Sequence, residues 1–247
     1  MSDLDPKHSQ MASTTSGGQT SPEVGGHSHG CGGEHGVRGG AGFPEVSRET
    51  VQPDRATRFI ETSQGTLSYL ELAPLLAERV AGMEVEIHRG AFDGVEISES
   101  LLIDLHAGIC GDLVPDWGGR WRIIEVRIGN LHPPLPHLVP MQMRDYALDL
   151  KERWNEASAE ISEKTIEFLA FAEGRFLNIH PFRDFNGRTI RLFITELLRR
   201  LDLPRVVLAP PEEKARARYF SALESADHFD LEPLKDIWRH RLEEASV

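Results

Sequence analysis

Two stretches of the chain are apolar around most of a helix circumference, and they decide what it can fold into. "SAEISEKTIEFLAFAEGRFLNIH" and "GRTIRLFITELLRRLDL" carry large apolar residues at helical spacing on more than one face. Helices of that kind need neighbours on several sides. They therefore mark the buried middle of a helical domain. The flanking sequence supplies the neighbours. "ISESLLIDLHAGIC" sets Leu101, Leu102, Leu105 and Ile109 at helical spacing, with Gly111 as a stop. "MQMRDYALDLKERWNEA" repeats Met143, Ala147, Leu150 and Trp154, and the C-terminal stretch divides into two amphipathic helices around Phe229 to Leu231. Upstream, Phe59, Ile60, Leu67, Leu70, Leu75 and Leu76 also read as helical, with Pro74 breaking or restarting the helix.

One segment has another texture. In "PDWGGRWRIIEVRIGNLHPPLPHLVP", Trp121, Ile123, Val126 and Ile128 are strand formers between Gly-Gly and Gly-Asn, which predicts a short hairpin followed by an extended connector. The fold class expected is mainly α with one small β-hairpin. Three regions are expected: a tail over 1–50, an N-terminal helical region over 51–95 and a core over 96–247. The tail is rich in Gly, Ser, Thr and His and is expected to be disordered, because it lacks the apolar surface to offset ordering entropy. His27, His29, Cys31 and His35 within it are transition-metal ligand types, but they lack the fixed spacing of a zinc module. A flexible His-rich tail is the reading preferred.

A net charge of −12 argues against a protein that coats nucleic acid, since phosphate backbones need clustered Lys and Arg. Capture of a single nucleotide by a few arginines and a metal ion stays compatible with it. The two cysteines, Cys31 and Cys110, make no disulfide framework and suggest a reducing compartment. No secretory signal or membrane span is evident, so a cytoplasmic protein is expected.

The chemistry is concentrated in "HPFRDFNGRTIR", at the junction of the two apolar helices. A helix N-terminus presents unpartnered N–H groups and partial positive charge, and Asn186 and Gly187 stand at that start. Arg188 and Arg191 are three apart, hence neighbours on one helix face, and two guanidinium forks there form a receptor for a di- or triphosphate. Asp184 can hold magnesium bridging phosphate oxygens, and His180 has the chemistry of a general base at neutral pH. Each residue also has a plainer role. His180 could cap the preceding helix, Asp184 could be an N-cap, and the arginines could pair with Glu196 or Glu173. One window supplying base, metal ligand and phosphate cradle points to transfer of a phosphate-bearing group to a hydroxyl.

The same window resembles the signature of the Fic family, His-Pro-Phe-x-Asp/Glu-Gly-Asn-Gly-Arg-x-x-Arg, at every specified position except Phe185, where the family usually has glycine. "GGRWRIIEVRIGNLHPP" is similar to the family's hairpin flap, and the resemblance extends over about residues 55 to 245. It implies a protein adenylyltransferase, moving AMP from Mg²⁺-bound ATP to a Ser, Thr or Tyr hydroxyl of a target protein. His180 would be the base, Asp184 the Mg²⁺ ligand and Phe182 the loop anchor. Asn186, Gly187 and Arg188 would hold the α- and β-phosphates and Arg191 the γ-phosphate. Trp121, Ile123, Val126 and Ile128 would form the target-docking flap. Two other readings stand beside it: transfer of a phosphate or another nucleotide part, and a catalytically silent Fic module serving as a binding protein. Gly187 speaks against the phosphotransfer branch, where lysine is common. Self-modification and a homo-oligomer are both left open.

Many Fic proteins also carry an inhibitory helix with Ser/Thr-x-x-x-Glu-Gly/Asn. "TRFIETSQGTL" resembles it through Thr57 and Glu61, with Thr62 in place of Gly/Asn. The resemblance implies a helix from which Glu61 pairs with Arg191 and obstructs the γ-phosphate.

Overall fold

A computed structural model describes residues 58–246 apart from Asn130, Ala209 and Pro211. The tail over 1–50, with its candidate metal ligands His27, His29, Cys31 and His35, lies outside the described residues, as does Thr57. The described chain opens with a two-stranded antiparallel hairpin, β1 (Phe59–Thr62) and β2 (Gly65–Ser68), in which Ile60 faces Leu67. Seven helices follow: α1 (Tyr69–His88), α2 (Glu99–Cys110), α3 (Val139–Glu156), α4 (Glu163–Ile179), α5 (Asn186–Arg200), α6 (Glu213–Asp227) and α7 (Glu232–Ala245).

Local chemistry fixes the helix starts. Ser68 caps α1 in a capping box, its hydroxyl accepting from Glu71 N–H while the Glu71 carboxylate accepts from Ser68 N–H. Ser162 caps α4 by accepting from Thr165 N–H. Helix α1 runs through Pro74, against expectation. The proline sits in the second turn, where it removes the hydrogen bond to the Leu70 carbonyl, and the helix continues to His88.

The core is arranged as the two apolar stretches require. Helix α4 packs against α3, α5, α6 and α7, while α5 packs against α1, α2 and α4. Both helices are buried along most of their length, including Phe168, Leu169, Phe176, Leu192, Phe193 and Leu197. Burying each such side chain contributes about 1.5–3 kcal/mol.

Two expectations about strands are corrected. Residues 121–128 form no two-stranded ladder: Trp121 makes one bridge with Phe182, and Ile128 one with Leu131. Arg122, which interrupts the apolar run, turns its side chain inward and is only 3% exposed. Its five N–H donors are incompatible with a regular strand over an apolar face, and they take main-chain carbonyls at the end of α4 and in the connector instead. The hairpin belongs to residues 59–68, where a helix was expected. Glu61 is therefore on a strand, exposed, accepting a hydrogen bond from Thr66 Oγ1 at 2.7 Å. Glu61 is thus not on the helix that the resemblance implied, and among the described residues it makes no ion pair with Arg191. Thr62 and Gly65 at the turn, with Gly65 at φ +103°, supply the turn chemistry that ends any helical reading.

Candidate active site

Helix α4 ends at His180, whose N–H donates to Phe176 O and whose backbone is left-handed at φ 49°. The chain then turns through Pro181 to Phe185 and re-enters a helix at Asn186. Phe182 is fully buried at the centre of this turn, its ring stacked on His106 with centroids 3.8 Å apart and planes within 3°. Trp121 and Phe176 pack on it from other sides.

Three buried polar side chains hold the turn. Arg122 Nε donates to His180 O at 2.8 Å, while its Nη atoms reach Ile179 O, Pro134 O and Ile124 O. His106 accepts at Nδ1 from Gly119 N–H at 3.0 Å, which leaves Nε2 protonated to donate to Asp184 O at 3.2 Å. Asn186 closes the turn on itself: its Oδ1 accepts from Phe182 N–H and its Nδ2 donates to Phe182 O, both at 2.9 Å. The Asn186 side chain is thereby spent on the backbone, so any phosphate contact from this residue falls to its N–H. His106 and Arg122 were missed in the sequence. The available signal was a polar residue on the apolar side of a helix, four after Leu102, and a charge interleaved with Trp121 and Ile123.

Phe185 answers to its position with an unusual backbone. It adopts φ 62°, ψ 11°, the left-handed conformation glycine would take, and its ring is 3% exposed. The ring packs inward beside His106 and Trp117, at 6.4 and 6.2 Å. It does not enter the cleft.

The start of α5 is open. Arg188 and Thr189 N–H bond back to Phe185 O, leaving Asn186 and Gly187 N–H without partners among the described residues. A Cβ placed on Gly187 would meet nothing within 4 Å. Arg188 Nη1 donates to Tyr69 OH at 3.0 Å. Arg191 makes no ion pair among the described residues; burial and the neighbouring Arg188 charge both lower its pKa. The alternative partners are otherwise engaged. Glu196 pairs with Arg199 and Arg200, and Glu173 with Arg241 and Tyr219.

His180, Gly187 and Arg191 open on one cavity of about 560 Å³. Its apolar wall includes Leu177, Ile190, Leu208, Phe220 and Leu223, and Ile128, Gly129 and Leu131 also line it. The size suits a nucleotide. The contribution of α6 was not legible as part of the site. Burial depresses the His180 pKa to about 4, against smaller upward effects of the Leu177 main chain and Asp184. Its imidazole is therefore neutral at pH 7 and able to accept a proton. Asp184 Oδ1 accepts from Phe185 N–H at 2.7 Å. Its Oδ2 is buried without a hydrogen bond, although Arg58 Nη1 approaches to 2.7 Å as an ion-pair contact out of line for one.

Among the flap residues, Trp121 is tied to Phe182, Ile123 is 90% exposed, Val126 is half-buried and Ile128 reaches the cavity.

Residues 96–198 match the model of the Fic/DOC family. Protein adenylyltransferase Fic of Drosophila persimilis is 30% identical over 157 residues, covering 62% of this chain and 29% of that protein. The Drosophila melanogaster protein of the same name is 29% identical over 157 residues, 62% of this chain and 30% of that one. The chain thus spans less than a third of the curated relatives it matches. Among solved structures, a Fic-1 fragment from C. elegans superposes with a TM-score of 0.53 at 26% identity, over 67% of this chain and 47% of that one. BepC from Bartonella tribocorum, solved with bound AMPPNP, gives 0.58 at 17% identity, over 76% and 94%, a likeness of fold alone. No described helix is long and apolar enough to cross a membrane.

Proposed function

From a Fic/DOC domain over residues 96–198 as premise, we propose that the protein is an adenylyltransferase that moves AMP from Mg²⁺-bound ATP to a Ser, Thr or Tyr hydroxyl of a target protein. The observation that carries the reading is the shared cavity. A neutral, half-buried imidazole at His180 and the Arg191 guanidinium, without an ion pair among the described residues, line one space with Gly187. The curated relatives' name, protein adenylyltransferase, supports the same class.

The phosphates lie against the free N–H groups of Asn186 and Gly187, where the α5 dipole and open space over Gly187 favour an anion. Arg188 and Arg191 supply charge-assisted hydrogen bonds to the β- and γ-phosphates. His180 takes the proton of the target hydroxyl as its oxygen bonds to the α-phosphorus. The bond from that phosphorus to the β-phosphate oxygen breaks, and pyrophosphate leaves with the electron pair. Nearby phosphate charge raises the His180 pKa from its depressed value, which improves it as a base. Arg122, holding His180 O, keeps the imidazole at the cavity mouth.

Asp184 suits Mg²⁺. Its Oδ2 is a buried hard oxygen without a hydrogen bond. Among the described residues no group of three His, Cys, Asp or Glu lies together, so Asp184 would be the side chain that holds the ion. When bound, Mg²⁺ neutralises charge that develops on the leaving pyrophosphate. Ile123, Val126 and Ile128, on the segment beside the cavity, offer main chain and apolar surface to an extended target segment.

The test is transfer from ATP labelled at either the α- or the γ-phosphate, with His180→Ala alongside. Labelling from the α-position alone, lost in His180→Ala, is expected. Labelling from the γ-position alone would move the protein to phosphotransfer. A folded protein that binds no nucleotide would make it a silent binding module.

A further inference from the structure

We infer that Arg58 is a tethered competitor for the cation at Asp184, so that the N-terminal hairpin sets how readily the site takes up metal. The inference rests on the reading of Asp184 as the metal carboxylate. It goes beyond that reading in assigning a residue outside the matched family region.

Asp184 has one oxygen to offer. Oδ1 is occupied by Phe185 N–H at 2.7 Å. Oδ2 is buried, lacks a hydrogen bond and faces Arg58 Nη1 at 2.7 Å. A guanidinium held 2.7 Å from that oxygen and a divalent cation bound to it exclude each other, because both are positive and both need the space in front of it. Arg58 must leave when metal arrives.

The position of Arg58 is not incidental to a loose chain end. Its carbonyl accepts from Tyr69 N–H at 2.8 Å at the start of α1. The β1–β2 turn is fastened to the end of α2, with Ser63 N–H donating to Leu113 O at 2.8 Å and Ser63 Oγ to Asp112 O at 2.7 Å. The backbone therefore holds the side chain within reach of Asp184, at a high effective concentration. Tyr69, next to the hairpin, also touches the site through Arg188. The Arg58 side chain is 43% exposed, so it departs into water at little cost. Half-exposed ion pairs are weak, which makes Arg58 a moderate competitor and not a lock.

Mn²⁺ is the probe, titrated into the full chain without nucleotide, with free Mn²⁺ read by electron paramagnetic resonance. Arg58→Ala is expected to bind Mn²⁺ about two- to fivefold more tightly than the natural chain. Arg58→Lys should stay close to the natural affinity. In an Asp184→Asn background, Arg58→Ala should change nothing. Equal or weaker Mn²⁺ binding in Arg58→Ala overturns the inference, as does a gain that persists without Asp184. Melting temperatures identify a variant that fails to fold, and Arg58→Gln, which keeps length and polarity, is then judged by the same criteria. The assay does not read AMP transfer. A gain in Mn²⁺ affinity without AMP transfer would remove the enzymatic reading and leave the metal control, whereas intact transfer with unchanged Mn²⁺ affinity would remove only the role of Arg58.

Discussion

Phe185 shows two opposing terms at one residue. The left-handed backbone costs a residue with a Cβ about 1–2 kcal/mol, and φ 62° places Phe185 there. Burying its ring against His106 and Trp117 contributes about 1.5–3 kcal/mol, and its N–H gains the Asp184 carboxylate. Packing wins, and the phosphate side of the turn stays clear. Phe185→Gly is therefore expected to lower stability by about 2–4 kcal/mol, the loss of a core ring offset by relief of strain. Phe185→Ala should lose about 1 kcal/mol more, because alanine keeps the strain. Urea unfolding checks both; a Gly variant more stable than the natural protein would show that strain dominates.

The element that matters most is the α4–α5 junction, and its stability is tied to pH through two histidines. Burial lowers the pKa of His106 and of His180 to about 4 from 6.5. In the unfolded chain both take a proton near pH 6.5, while in the folded chain they resist it until about pH 4. Stability is thus fully present above pH 6.5 and is lost as pH falls from there towards 4. For fully buried His106 the share is at most about 3 kcal/mol. Unfolding midpoints measured between pH 7.5 and 4.5 should fall steadily, and a flat profile would contradict the assignment. The junction was also the most legible element. Helical periodicity located the two apolar helices, and the window between them was read from its residue types and its resemblance to the Fic signature. What holds it was less legible. His106 and Arg122 lie 74 and 58 residues before His180 in the chain, and only the packing of α2 on α5 and of Trp121 and Arg122 on the turn after α4 brings them there. The hairpin was misplaced for a related reason. Alternating apolar residues at 121–128 suit a strand, but Arg122 is drawn inward by the unpaired carbonyls at the end of α4. At 59–68, the Thr62–Gly65 turn outweighed a helical pattern that Ile60 and Leu67 satisfy equally well across two strands.

Across the whole molecule, an acidic chain keeps a small positive site where a nucleotide's phosphates would lie. Several of the described arginines are paired with carboxylates: Arg199 and Arg200 with Glu196, Arg239 with Glu163, and Arg241 with Glu173. Arg191 is left half-buried, beside Arg188, with no carboxylate partner among the described residues. Such a residue burdens the free protein, since burial and like charge both disfavour its cation. Under the proposed function, the phosphates of the nucleotide would offset that burden. The most direct measurement is the affinity of a non-hydrolysable ATP analogue with Mg²⁺ for the natural chain and for Arg191→Ala, with both melting temperatures recorded. Loss of a charge-assisted contact predicts about 10- to 100-fold weaker binding, together with a melting temperature that is unchanged or higher. Equal affinity in the two proteins, or a variant that binds as well and melts lower, would contradict the account by making Arg191 a structural residue.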